Sequence, residues 1–432
     1  MTGLQQYPTR TLQCWQKGEE LRRQHRRHIW EAQKQGELLV HGMAYFHGVL
    51  AGMGDFACTE LTPFFRGLMD DPRAAIKCHE AAEARGLGQD LCSSMRCHLG
   101  AAFLGYGLTN RQGERVKPDF IFQGVYCNSL SKAGQVYSDY WGLPYFTVDI
   151  PWQVSPITHA YLVDQLQELI EWMEKLTGRK YDDERLIRGA RNEWRSHALF
   201  TRVLLLNQVV PATLDLRHLF ALQLPVVIIR HRDEVVSFLE ELVAEVEERV
   251  KDGISARGYE ARRLMHLGFL PNYYMNILRY PAQFGAVYVA SDLLWQYSGW
   301  SNMSAEEGDW IPLPLTPEEA GLPLRTREDA LRVLAALYLD HRPQACPVER
   351  APAQSLRMVR GWRVDAAIIH VDRGCKAFGA GTMEAKLALE ESGVPTLMYE
   401  ASGYDPRDFS EPQVIDRMDA FMESLGLKRL QA

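Results

Sequence analysis

The run Ala366-Ala-Ile-Ile-His-Val371 constrains this chain more than any other stretch. It is short, apolar and partly β-branched, the pattern of a strand buried on both faces. It breaks at Gly374, places a single cysteine, Cys375, just past the strand, and passes Gly379 and Gly381 into helical periodicity over Met383–Glu391. A strand with no polar face must be covered on both sides, so its sheet is predicted to be parallel and wrapped by helices. In such sheets ligands collect outside the carboxyl ends of the strands. Cys375 stands at such a place, and any ligand there needs further side chains from elsewhere in the chain.

The same rhythm recurs along the sequence. Leu38–Tyr45, Asp119–Phe122 and Pro144–Pro151 read as strands, with helical patterns at Arg73–Ala84, from Cys92, and around Tyr137–Trp141. His47–Gly54 reads as a glycine-bearing loop, and Cys58–Arg66 as the start of a helix. His159–Leu176, Tyr181–Leu206 and Glu234–Val250 are helical in pattern. Strands follow at Arg263–Phe269, Ala286–Ala290, 366–371 and Thr396–Tyr399, with helices at Asn272–Tyr280, Arg327–Tyr338, 383–391 and Gln413–Leu425. Ser291–Leu324, rich in Trp, Pro and Gly, reads as an irregular excursion beside a site. The expected fold is α/β, with two Rossmann-like or flavodoxin-like parallel-sheet domains joined by a helical connector. The expected segments are an N-terminal helical piece at 1–36, a first α/β domain at 37–158, the connector at 159–258, and a second α/β domain at 259–432. The two α/β halves read as a pseudo-symmetric pair.

A formal charge of −7 over 432 residues argues against nucleic acid as the partner. Arg22–Arg27 is the one dense basic run, and with Glu19, Glu20 and Glu31 around it reads as a solvated or subunit-facing helix. No apolar run approaches the roughly 20 residues of a membrane span. The N-terminus lacks the charged-then-apolar order of a signal peptide. The expectation is a cytoplasmic protein with no membrane partner and reduced cysteines. No GxGxxG turn with a ribose-binding acid follows the first strand, and no GxxxxGK[ST] loop is present.

The eight cysteines form no disulfide framework. Cys127 and Cys375 each follow a buried strand, and Cys92 opens a helix. If the halves face each other, three thiolates can meet in one cleft. Thiolates select zinc or iron–sulfur clusters, and three protein ligands leave one position open. Cys14, Cys78 and Cys346 read as inert; Cys58 and Cys97 stay undecided. Cys97, five residues after Cys92 on the same helix, is the rival ligand, with Cys92 favoured because the start of the helix faces the loop side. His41, His47 and His370 read as hydrogen-bonded core histidines, and Glu60 as a first-turn acid. Glu400, Asp405 and Arg407 read as a surface ion network. Lys376 either tunes the neighbouring thiolate or reaches solvent.

Leu91-Cys-Ser-Ser-Met-Arg96 with Gly100, Gly124-Val-Tyr-Cys-Asn128, Asp372-Arg-Gly-Cys-Lys376, Gly393-Val-Pro-Thr-Leu397, Tyr399-Glu400 and Asp416–Glu423 occur in this order. Together they resemble the 2-hydroxyglutaryl-CoA dehydratase D-component family, over about residues 37–427. Within it, His41-Gly-Met-Ala-Tyr-Phe-His-Gly48, Cys58-Thr-Glu-Leu-Thr-Pro63 and the helix from Met383 to Leu389 are most similar to the B-subunit type of ATP-dependent benzoyl-CoA reductases. The resemblance implies a 4Fe–4S cluster held by Cys92, Cys127 and Cys375. It implies a smaller homologous subunit with its own cluster, and a separate ATPase component that delivers electrons. It also implies an acyl-CoA substrate: the expected one is benzoyl-CoA, dearomatised by low-potential single-electron transfer to a cyclohexadiene carbonyl-CoA, and the alternative is a 2-hydroxyacyl-CoA, dehydrated at the open iron. Ala401-Ser-Gly403 departs from the family pattern, which often carries acids soon after the position of Glu400.

Overall fold

The computed structural model describes residues 5–42, 45–59, 71–106, 116–125, 127–295, 297–341 and 348–430. Glu60, Cys346 and most of the helix expected from Cys58 lie outside them. Two four-stranded sheets, each wholly parallel, carry the architecture. The first contains β1 (Leu38–His41), β2 (Phe56–Cys58), β3 (Phe120–Val125) and β4 (Tyr145–Asp149) in the order β2-β1-β3-β4. The second contains β5 (Arg262–Gly268), β6 (Ala286–Ser291), β7 (Ala366–Val371) and β8 (Thr396–Glu400) in the order β6-β5-β7-β8. Both sheets thus place their third strand beside the first, and helices flank both.

The central strands are buried because no face of them is polar. In β7, Ala366 to His370 are buried and only Val371 is partly exposed. Removing an Ile or Leu side chain from water stabilises the fold by about 1.5–3 kcal/mol. The flanking helices begin where the local chemistry satisfies their first N–H groups. Asp71 accepts from Arg73 N and Ala74 N ahead of the helix Pro72–Glu83. Ser155 and Thr158 form a capping box at Pro156–Thr177, and Asp182 caps Asp183–Leu206.

The pairing of the two sheets is close enough to show equivalent residues. Gly42, at φ 132°, and Gly268, at φ 86°, end the first strand of each sheet. A Cβ on Gly42 would lie 2.2 Å from Phe122 O, and one on Gly268 would lie 2.2 Å from His370 O. Only glycine fits either contact. Cys127 comes five residues after Phe122, and Cys375 five residues after His370. The two cysteines therefore occupy the same position in the two halves.

Four sequence expectations meet a different structure. Phe56–Cys58 is a strand, paired to β1 through Val40 and Cys58, where the start of a helix was expected. His47–Ala51 is a short helix rather than a loop. Gly48 lets that helix approach the helix Asp183–Leu206, since a Cβ there would lie 2.8 Å from Ala190 N. Ser291–Leu324 contributes no lining residue to the cavity described below and builds core: Trp295, Trp300 and Trp310 pack with Trp362. Arg357 ties the same segment down by donating to the carbonyls of Asn302, Ala305, Gly308 and Asp309. The basic helix Cys14–Glu31 pairs Arg23 and Arg27 with Glu20, but Arg22 and His25 on it are buried.

The helical stretch between the sheets has no core of its own. Leu162 to Ala198 pack with the first sheet, and Leu199 to Val246 with the second. The helix Arg327–Ala336 packs with the first sheet although it follows β6 in the chain. Among the described residues no helix is long and apolar enough to cross a membrane.

Candidate iron–sulfur site between the two sheets

Cys92, Cys127 and Cys375 line one cavity of about 330 Å³. Val125, Asn128, Ser129, Asp149, Trp152, Lys376 and Ala377 complete its wall. The cavity lies past the carboxyl ends of β3 and β7, one central strand from each sheet. Each cysteine is the residue just before a helical segment: Ser93–Phe103, Asn128–Trp141 and Lys376–Gly379. Strand ends deliver Cys127 and Cys375, a loop after the helix Pro72–Glu83 delivers Cys92, and the helix starts turn backbone N–H groups toward all three.

Backbone N–H groups of Ser94 and Met95 reach Cys92, those of Ser129 and Leu130 reach Cys127, and that of Phe378 reaches Cys375. These contacts favour negative charge on sulfur. Burial works against it and prevails. Burial pushes the Cys92 thiol up to about 11, raises Cys127, and raises Cys375 strongly, helped there by Cys92 and Asp372. Burial therefore keeps these thiols protonated in the metal-free chain, as it does for the buried Cys14 and Cys97.

Cys97 faces elsewhere. It is buried with Cys78, Ala75, Ala101 and Tyr404, and hydrogen-bonds to Cys78. Cys92 is thus the member of this pair on the cavity wall. Cys14 is buried, its thiol raised to about 12 by burial and by its hydrogen bond to Glu245. Cys58 is buried in β2 and donates to Gly42 O at 3.5 Å.

The halves meet directly behind the cysteines. A Cβ on Gly374 would lie 2.6 Å from Leu91 O and 3.2 Å from Cys92 Cα, so the Cys375 loop rests on the Cys92 backbone. The ion network expected at the surface is in part a buried clasp. Arg96 and Asp405 are both about fully buried and pair at 3.3 Å, and Arg96 also binds Glu83 at 2.8 Å and Leu91 O at 3.3 Å. Arg407 joins Asp405 to Glu83, and His79 Nε2 lies 2.9 Å from Tyr404 O. Glu400 stands outside this clasp, paired with Arg373 at the surface.

The histidines are held in the core. His41 Nδ1 lies 2.6 Å from Thr59 Oγ1, Arg230 Nε donates to His47 Nδ1 at 2.9 Å, and His370 sits between the carbonyls of Phe269 and Ala401. Asn128, Ser129, Asp149 and Trp152 are cavity residues that sequence reasoning missed. The first two adjoin Cys127, so their place in the motif was a usable signal. Asp149 and Trp152 carried none, because only the pairing of β4 with β3 brings them to the wall.

Three cysteines on one wall offer the thiolate donor set that zinc or an iron–sulfur cluster takes.

The chain is similar to known proteins over most of its length. Residues 73–425 match the model of the family described as 2-hydroxyglutaryl-CoA dehydratase, D-component. The (R)-phenyllactyl-CoA dehydratase alpha subunit of Clostridium sporogenes is 25% identical over 81% of this chain and 80% of its own length. The alpha subunit of (R)-2-hydroxyglutaryl-CoA dehydratase from Acidaminococcus fermentans is 23% identical over 73% of this chain and 62% of its own length. The lactoyl-CoA dehydratase alpha subunit of Anaerotignum propionicum is 23% identical over 82% of each. With the match covering most of its length, this chain belongs to the 2-hydroxyglutaryl-CoA dehydratase D-component family.

Proposed function

We propose that this chain is the cluster-bearing subunit of an enzyme that acts on an acyl-CoA thioester, and that the reaction is dehydration of a 2-hydroxyacyl-CoA. The observation that carries the reading is the meeting of Cys92, Cys127 and Cys375 on one cavity wall in a chain of this family. The relatives, all named as dehydratase alpha subunits, favour dehydration over reduction. Their naming also supports a partner subunit, which we propose is smaller, homologous and cluster-bearing. A separate ATPase component supplies the electrons in this reading.

In this reading Cys92, Cys127 and Cys375 hold a 4Fe–4S cluster. When bound, such a cluster supplies low-potential electrons and an iron with an open coordination position. The chain's own residues do the rest. Val125, Trp152 and Ala377 give the cavity an apolar lining against which a bound acyl group can pack. Asn128 and Ser129 offer hydrogen bonds to the bound thioester, and Lys376 brings a cation to a wall that gains negative charge.

A second reading keeps the scaffold and changes the chemistry: ATP-dependent reduction of benzoyl-CoA to a cyclohexadiene carbonyl-CoA. The phrases His41–Gly48 and Cys58–Pro63 favour it, although residues 43–44 and 60–63 of them lie outside the described residues. One assay separates the two. The complex that co-purifies with this chain is given ATP and reductant with either a 2-hydroxyacyl-CoA or benzoyl-CoA, and the products are identified. Water elimination supports the proposal; dearomatisation without dehydration replaces it with the second reading. The ligand assignment is tested by iron and acid-labile sulfide analysis of single Cys→Ser variants. Cys92→Ser, Cys127→Ser and Cys375→Ser are expected to lose iron, and Cys97→Ser to keep it. Zinc without sulfide in the unaltered chain would sink the cluster reading altogether.

A further inference from the structure

Asp372 lies three residues before Cys375, is 4% exposed, and makes its contacts across the two halves. Its Oδ1 accepts from Gly374 N at 3.1 Å. Its Oδ2 accepts from Gly403 N at 2.8 Å and from Ser93 Oγ at 3.4 Å. Ser93 directly follows Cys92, and its Oγ in turn accepts from Tyr404 N at 3.3 Å. The Asp372 carbonyl accepts from Cys375 N at 3.1 Å. One residue therefore holds the Cys375 loop, the first residue of the Cys92 helix and the 403–404 loop together.

The donors that reach the side chain are neutral: two backbone N–H groups and a hydroxyl. Both side-chain oxygens accept hydrogen bonds and neither donates one, the pattern of a carboxylate rather than a carboxylic acid. The neighbouring residues cannot be exchanged freely. A Cβ on Gly403 would lie 2.6 Å from Phe269 Cδ1 and 2.8 Å from Asp372 Oδ2, so glycine lets this loop pack against both. Its contacts place Asp372 beside both cysteines, through Ser93, which adjoins Cys92, and through Gly374 N, which adjoins Cys375.

We propose that Asp372 is a positioning residue that sets a permanent negative charge beside Cys92 and Cys375 and thereby holds the metal centre at low potential. The inference rests on the cluster reading above. Adding an electron to a centre next to a fixed, poorly screened negative charge is unfavourable, so the charge shifts the potential downward. No proton moves; the carboxylate acts through its field and through the three contacts it fixes.

The test is anaerobic reconstitution of the full-length chain, with its co-purifying subunits, using ferrous iron and sulfide. Iron and sulfide content is measured first, and then the midpoint potential by redox titration followed by electron paramagnetic resonance. Asp372→Asn, nearly isosteric but uncharged, is expected to take up iron and show a potential more positive than the unaltered protein. Ser93→Ala, which removes a contact but no charge, is expected to keep the original potential. An Asp372→Asn centre at the original potential overturns the inference and leaves the cluster reading standing. If Asp372→Asn binds no iron, Asp372→Glu decides: recovery of the centre at the original potential supports the charge, and failure to recover it overturns the role in favour of shape alone. Absence of iron and sulfide from the unaltered protein overturns the cluster reading and this inference with it.

Discussion

Gly374→Ala tests the idea that the two halves of the chain meet at the cysteine cavity through backbone contact. The added Cβ would lie 2.6 Å from Leu91 O, 3.1 Å from Leu91 C and 3.2 Å from Cys92 Cα. These are main-chain atoms at the start of a helix, so no side chain can swing away to make room. Overpacking of this kind costs about 1–3 kcal/mol. The lower part of that range needs the Cys375 loop to move, because Arg96 holds Leu91 O from the other side. A loss of about 2 kcal/mol lowers an apparent melting temperature by about 4–8 °C in a domain of this size. The movement also parts Cys375 from Cys92, so iron uptake on reconstitution should fall more than stability alone explains. Gly379→Ala is the control: its Cβ would meet only Asp372 O at 3.5 Å, an ordinary contact. The assays are differential scanning calorimetry and iron content, run on both variants beside the unaltered chain. If Gly374→Ala matches Gly379→Ala in both, the loop relaxes freely and the contact constrains nothing.

Two further outcomes follow from buried charge. Arg96→Ala removes one of the two arginines that pair with Asp405, in a clasp where Arg96 and Asp405 are 1–2% exposed, and leaves Arg407 in place, so it should cost about 1–3 kcal/mol; a calorimetric midpoint within error of the unaltered chain would refute the clasp. His25, His41 and His266 are held neutral in the fold, burial bringing each down to about 3 from an ordinary 6.5. Unfolding lets each take up a proton below 6.5, so stability is full above that pH and is lost as pH falls from 6.5 toward 3. Urea midpoints at pH 7.5, 6.0 and 5.0 should decline in that order, each such histidine contributing about 1.4 kcal/mol per pH unit; a flat profile would contradict their burial in the neutral form.

Much of this was legible along the chain. The strand 366–371 has the bounds its apolar run implied, and both sheets are parallel as strands without a polar face require. The strand-end placing of Cys127 and Cys375 follows from the same local pattern. Phe56–Cys58 was not legible, because three residues carry no periodicity that separates a strand from the start of a helix. Nor was the depth of Asp405: its partner Arg96 lies 309 positions away in sequence.

The choice between Cys92 and Cys97 marks the boundary most clearly. Sequence alone placed both on one helix. Five residues at 3.6 per turn set them about 140° apart around its axis, on different faces. Which face meets the cavity depends on what packs against the helix, and that is decided by Cys78 and Tyr404 enclosing Cys97 on one side and the Gly374 backbone resting on Cys92 at the other. The sequence determined which residues can bind a soft metal and that they lie at strand ends and helix starts, because those are local properties of the chain. The tertiary structure decided which three of them share a wall, because that depends on contacts between segments hundreds of residues apart.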